Sequence, residues 1–94
     1  MRNYEILFIL RPDLTEEEVE ANREKVKSVI TDNGGEVTKL DPMGKRRLAY
    51  EIQDYREGIY TVIYFTGDVK TVKELDRVVR ITEDIIRYLI VKND

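Results

Sequence analysis

The chain has 94 residues and a formal net charge of -3; at 41% hydrophobic and 37% charged, it makes one domain (1–94) around a single core. It holds neither cysteine nor histidine, which excludes disulfides and thiolate chemistry and removes the commonest general base and metal ligand. No apolar run approaches the ~20 residues of a membrane span, and Met1-Arg2-Asn3-Tyr4-Glu5 lacks the layout of a signal peptide, so a cytoplasmic protein with no membrane partner is expected.

Asn3–Leu10 is rich in apolar residues and reads as a buried strand, ended by Arg11-Pro12-Asp13. Thr15-Glu16-Glu17-Glu18 is a capping box, with Leu14 and Val19 at the staple positions around it. The helix it opens carries Val19, Val26, Val29 and Ile30 on one face and stops at Gly34-Gly35. Residues 13–36 hold eight acids against three bases, whereas the rest of the chain holds thirteen bases against eleven acids. The acidity therefore sits largely on one helix and leaves other surfaces neutral or basic. Glu36–Leu40 is a short alternating strand, and Asp41-Pro42-Met43-Gly44 predicts a kink or bulge. Lys45–Gln53 resumes the strand, and Asp54–Gly58 predicts a turn. Ile59–Thr66 is the most β-prone run of the chain. Gly67-Asp68 breaks it before a helix over about Val69–Ile81, with Val72, Leu75, Val78 and Val79 as its apolar stripe. Glu83-Asp84 turns the chain into a last strand, Ile85–Lys92.

This β-α-β-β-α-β order predicts an α+β fold of the ferredoxin-like type, a four-stranded antiparallel sheet with two helices on one face. Side chains alternate along a strand, so the uncovered face can be assigned by parity. Leu7 and Ile9, Tyr60, Val62 and Tyr64, and Arg87, Leu89 and Val91 are expected there, with Ile86, Tyr88 and Ile90 on the helix side. Such a face is too apolar to stay in water without a use. Leu7, Ile9, Tyr60, Val62, Tyr64, Leu89 and Val91 form a candidate protein-partner face.

Gly44-Lys45-Arg46-Arg47-Leu48-Ala49-Tyr50 puts three consecutive cations on a strand. Arg46 must point opposite to Lys45 and Arg47, so they do not form one patch. A charged edge strand also discourages aggregation, and that role competes with ligand binding. Arg2, Tyr4, Tyr50, Arg87 and Lys92 lie on or near the strand ends, and bases with tyrosines suit phosphates and nucleotides. One of Arg46 and Arg47 could instead brace the hairpin against Glu51 or Asp54. The stacking pattern of the RNA-recognition motif is missing, since Ile59 and Thr61 stand where its aromatics belong. Glu16, Glu17 and Glu18 suit a helix N-terminus and need no catalytic explanation. No Gly-rich phosphate loop precedes a helix. No catalytic residue, metal, cofactor or small-molecule substrate is expected.

Several segments resemble bacterial small-subunit (30S) ribosomal protein six, a family that the chain matches along essentially its whole length. They are Met1-Arg2-Asn3-Tyr4-Glu5-Ile6, Arg11-Pro12-Asp13-Leu14, Asn33-Gly34-Gly35, Gly44–Tyr50, Glu57-Gly58-Ile59-Tyr60 and Glu83–Val91. Two features depart from the family pattern: Glu51 stands where many relatives have proline, and the sequence ends at Asp94, short of the tail of some relatives. The resemblance implies a non-catalytic ribosomal subunit that binds 16S rRNA in the central domain, at the platform. It also implies a heterodimer with small-subunit ribosomal protein eighteen. Arg2, Tyr4, Lys45, Arg46, Arg47, Tyr50, Arg87 and Lys92 are the candidate RNA-binding residues. A ferredoxin-like homodimeric module that binds a regulatory effector is the alternative; it requires a self-complementary sheet face and a ligand loop.

Overall fold

The computed structural model describes residues 1–93, so Asp94, with which the sequence ends, lies outside the described residues. The elements are β1 (Arg2–Leu10), α1 (Glu16–Asp32), β2 (Glu36–Ile52), β3 (Tyr55–Gly67), α2 (Val69–Arg80) and β4 (Ile85–Lys92). The strands form one antiparallel sheet in the order β2-β3-β1-β4. Both helices pack on the same side of it, which is the expected ferredoxin-like arrangement.

Alternation builds the core. Ile6, Phe8 and Leu10 of β1 and Ile63 and Phe65 of β3 leave the sheet toward the helices and are almost wholly buried. Val19, Val26 and Ile30 of α1 and Leu75 and Val79 of α2 meet them there. Burying side chains of this size stabilises by about 1.5–3 kcal/mol each. The capping box of α1 is present in both halves: Glu18 N donates to Thr15 Oγ1 (3.2 Å), and Thr15 N donates to Glu18 Oε1 (2.9 Å). The helix ends on Gly34, whose φ of 84° suits a residue without Cβ.

The hairpin meets expectation in one place and differs in another. The expected kink or bulge is a bulge within one long β2: the register with β3 slips between Pro42 and Gly44, where Gly44 takes a φ of 79°. The difference is the turn, which is Gln53-Asp54, with Ile52 paired to Tyr55, so β3 starts at Tyr55 instead of Ile59. Gln53 and Asp54 both have positive φ (50° and 70°), the geometry that suits the strand twist in a two-residue hairpin turn. Gln53 is a poor sequence marker for such a turn, which is why the longer one was expected.

One polar cluster ties together parts of this fold that are distant in sequence. Asn22, on the inner face of α1, donates from Nδ2 to Asp84 Oδ2 (2.9 Å). Arg11 Nε donates to Asp84 Oδ1 (3.0 Å), and Arg11 N donates to Asp84 O (3.0 Å). The β1–α1 loop, α1 and the start of β4 thus share one carboxylate. The Asn22 hydrogen bond, aided by Arg11, holds the Asp84 carboxyl below the usual aspartate range against the opposing effect of burial. A lowered folded-state pKa contributes stability above the unfolded aspartate pKa, and that contribution is lost as pH falls through the folded value. Asp84→Ala should therefore cost about 1–3 kcal/mol at neutral pH. The difference between mutant and parent in urea melts should shrink as pH drops below ~4.

Candidate nucleic-acid and protein interface

The open face carries the side chains expected on it. Leu7 stands between Val62 and Leu89 in register, and Ile9 between Tyr60 and Arg87. Glu5 stands between Tyr64 and Val91, and Asp41 beside Val62, so the face also carries acids. Ile86 is the correction. The β1–β4 register shifts between Ile9 and Leu10, so Ile85 joins the helix-side core while Ile86 packs with Ile9 and Leu48 on the open side. A bulge adds a residue and breaks simple parity at that point.

The hairpin also covers part of this face. Leu48, Ile52 and Tyr55 gather with Tyr60 over Ile9 and Ile86. They can do so because the β2–β3 register slips between Arg47 and Ile52, which lets the tip curl across the sheet end. Gly58 makes the close approach possible: a Cβ there would lie 2.2 Å from Ile9 Cγ2. Ile9 is consequently buried, and so is Val62, flanked in register by Leu7 and Asp41. Leu7, Tyr60 and Tyr64 remain half-exposed, while Leu89 is 58% exposed and Val91 38%.

The curled tip meets β4 directly. The Arg87 guanidinium carbon lies 5.6 Å from the centre of the Tyr50 ring, and Arg87 Nη1 donates to Tyr50 Oη. Arg46 lies on the open side and donates from Nε to Met43 O (3.3 Å). Arg47 and Lys45 point to the helix side, as alternation requires. Lys45 lines a recess there with Glu16, Glu20 and Arg23 of α1, and Glu20 is paired with Arg23 (3.1 Å). Among the described residues, Arg56 and not Arg46 or Arg47 holds the Glu51 carboxylate, Nε donating to Oε1 (2.9 Å).

The remaining candidates stand apart. Tyr4 faces the helices, and its ring stacks on Phe65 at 5.6 Å. Arg2 pairs in register with Gly67, and Lys92 with Tyr4, at the sheet end opposite the hairpin tip. The structure thus unites Arg46, Tyr50 and Arg87 on one side, and separates Arg2, Tyr4 and Lys92 from them. Lys39 was missed: its ammonium sits 5.7 Å over the Tyr64 ring on the open side. Parity could have found it only if the slip between Val37 and Lys39 had been foreseen.

A four-stranded antiparallel sheet of this order with both helices on one face is a ferredoxin-like domain. A family model described as Ribosomal protein S6 matches residues 3–92. The chain is 58% identical over 92 residues to small ribosomal subunit protein bS6 of Campylobacter lari, covering 98% of this chain and 74% of that protein. It is 50% identical over 92 residues to bS6 of Moorella thermoacetica, covering 98% of this chain and 94% of that one. The crystal structure of 30S ribosomal protein S6 from Thermotoga maritima superposes with a TM-score of 0.94 at 42% identity, over 98% of this chain and 87% of that one. The chain belongs to the ribosomal protein S6 family, non-enzymatic proteins of the small ribosomal subunit.

The close approach at Gly58 generates a test of the curl. Gly58→Ala should destabilise the protein by about 1–3 kcal/mol, because Ile9 is stiff at Cβ and cannot simply swing aside. A lowered midpoint of urea unfolding is the expected result.

Proposed function

We propose that the protein binds 16S rRNA of the central domain together with small-subunit ribosomal protein eighteen, as a platform component of the cytoplasmic ribosome. The observation that carries this reading is a bare apolar strip bordered by cations on one side of the sheet. Leu89 and Val91 are exposed beside half-exposed Leu7, the Arg87–Tyr50 pair borders them, and Arg46 lies on the same side of the sheet on the other edge strand. The strip suits a protein partner, with Tyr60 and Tyr64 as flanking contacts. The rim suits phosphates, to which Arg2, Lys45, Arg47 and Lys92 add contacts along the strand ends. Tyr50, 60% exposed, joins the rim through its contact with Arg87, whereas Tyr4 offers its hydroxyl because its ring already packs on Phe65. With a net charge of -3, the chain alone binds RNA weakly and gains affinity from a basic partner.

Filter binding of the partner pair to a central-domain rRNA fragment across a salt series tests the RNA half. Arg46→Ala combined with Arg47→Ala should lower affinity about tenfold or more and flatten the salt slope by about 1–2. Unchanged binding would sink the assignment. Leu89→Asp tests the protein half: it should abolish capture of protein eighteen while leaving the melting curve nearly unchanged, since Leu89 is exposed. Sedimentation checks the alternative, because a tight homodimer without RNA affinity is the signature of a regulatory module.

A further inference from the structure

We infer that Tyr50 is a positioning residue for Arg87, and that the curled hairpin tip acts as a strap holding the Arg87 guanidinium in one orientation for an RNA phosphate. The inference rests on the rRNA-binding reading above and adds the device that prepares one of its contacts.

Tyr50 and Arg87 are 37 residues apart in sequence and lie on β2 and β4, the two edge strands. β3 and β1 stand between those strands, so the pair forms only because the tip crosses the end of the sheet. Two interactions hold it. The guanidinium sits over the ring at 5.6 Å, and Nη1 donates to Tyr50 Oη. A cation–π contact fixes which face of the guanidinium is covered, and the hydrogen bond fixes its rotation. Arginine has five N–H donors in a planar fork, and this hydrogen bond uses one of them. Arg87 is exposed and forms no ion pair among the described residues, so donors remain for an incoming anion. Arg56, on the hairpin tip itself, is instead bound to Glu51.

The strap itself has a foundation. Leu48 and Ile52 flank Tyr50 in sequence and pack on Ile9 and Ile86, and Ile86 immediately precedes Arg87. The bulge that moves Ile86 to the open side therefore serves the same contact: it anchors the tip beside the residue that the tip orients. An unsupported arginine loses much of its rotamer freedom on binding phosphate, and this one has surrendered part of it in the free protein.

The test uses the full chain with protein eighteen at saturating concentration and a central-domain 16S rRNA fragment as probe. Tyr50→Leu should weaken RNA binding by about three- to tenfold with the salt slope retained, because the charge stays. Arg87→Ala should weaken binding and lower the slope by about 0.8. The double variant should bind no worse than Arg87→Ala alone, and Tyr50→Phe, which keeps the ring, should fall between parent and Tyr50→Leu. In the free protein, the Arg87 Hε resonance should lose its ring-current shift in Tyr50→Leu but not in Tyr50→Phe; this readout does not depend on RNA. If Tyr50→Leu binds like the parent while Arg87→Ala is impaired, the positioning role is overturned and the rRNA reading stands. If Arg87→Ala, Arg46→Ala and Arg47→Ala all bind like the parent, the rRNA reading itself fails. If Arg87→Ala loses affinity for protein eighteen in the absence of RNA and none for RNA, the strap serves the protein partner and the inference is wrong.

Discussion

Ile6, Phe8, Ile63 and Phe65 leave the central strands on one side and are sealed there by two helices. Two helices can cover only one side of a four-stranded sheet. Every alternate residue of β1, β3 and β4 is then committed to the core, and its neighbours in sequence are committed to the other face. The surface chemistry follows from this division. Leu7, Leu89 and Val91 cannot retreat from solvent, because the strands that carry them are already oriented by the buried set. Their exposure is a consequence of the core and a resource for binding.

The β2–β3 hairpin modifies that plan at one end. β2 has three register slips against β3, and each lets the long strand bend where a regular ladder would run straight. The last slip carries Leu48 onto Ile9 and Tyr50 onto Arg87. What begins as an edge strand thus ends as a cover, and the apolar face is divided. Its hairpin end is a small second core of Ile9, Leu48 and Ile86, and the strip nearer the opposite end stays bare. Gly58 sits at the crossing because any side chain there would collide with Ile9. The same glycine, in the segment Glu57-Gly58-Ile59-Tyr60, is one of the features by which the family is recognised, and its physical role is clearance.

Legibility in the sequence followed the range of the forces involved. The capping box at Thr15 and the helix stop at Gly34 depend on neighbours within a few residues, and both were readable. Parity placed seven apolar residues and Arg87 on the open face, because alternation is local and β1 and β3 pair without a slip. It failed at Ile86, where a bulge intervenes, and it had no means to show Ile9 and Val62 as buried. The tight turn at Gln53-Asp54 was hidden because its positive φ values fall on residues other than glycine. The three-cation run was correctly divided between two faces. Its surroundings were not legible, since Lys45 lines a recess beside α1 and Glu51 is held by Arg56.

Taken alone, the sequence determined the element order, the helix boundaries, the face of most strand residues and membership in the ribosomal protein S6 family. These rest on periodicity, capping and short motifs, which act over a turn of helix or a few strand residues. Only the tertiary structure decided that the hairpin tip folds over the sheet, that Tyr50 meets Arg87, and that Tyr4 packs inward on Phe65. Each of those contacts joins residues far apart in the chain. Their meeting depends on where three register slips and one bulge send the strands, and no local pattern encodes the sum of those displacements.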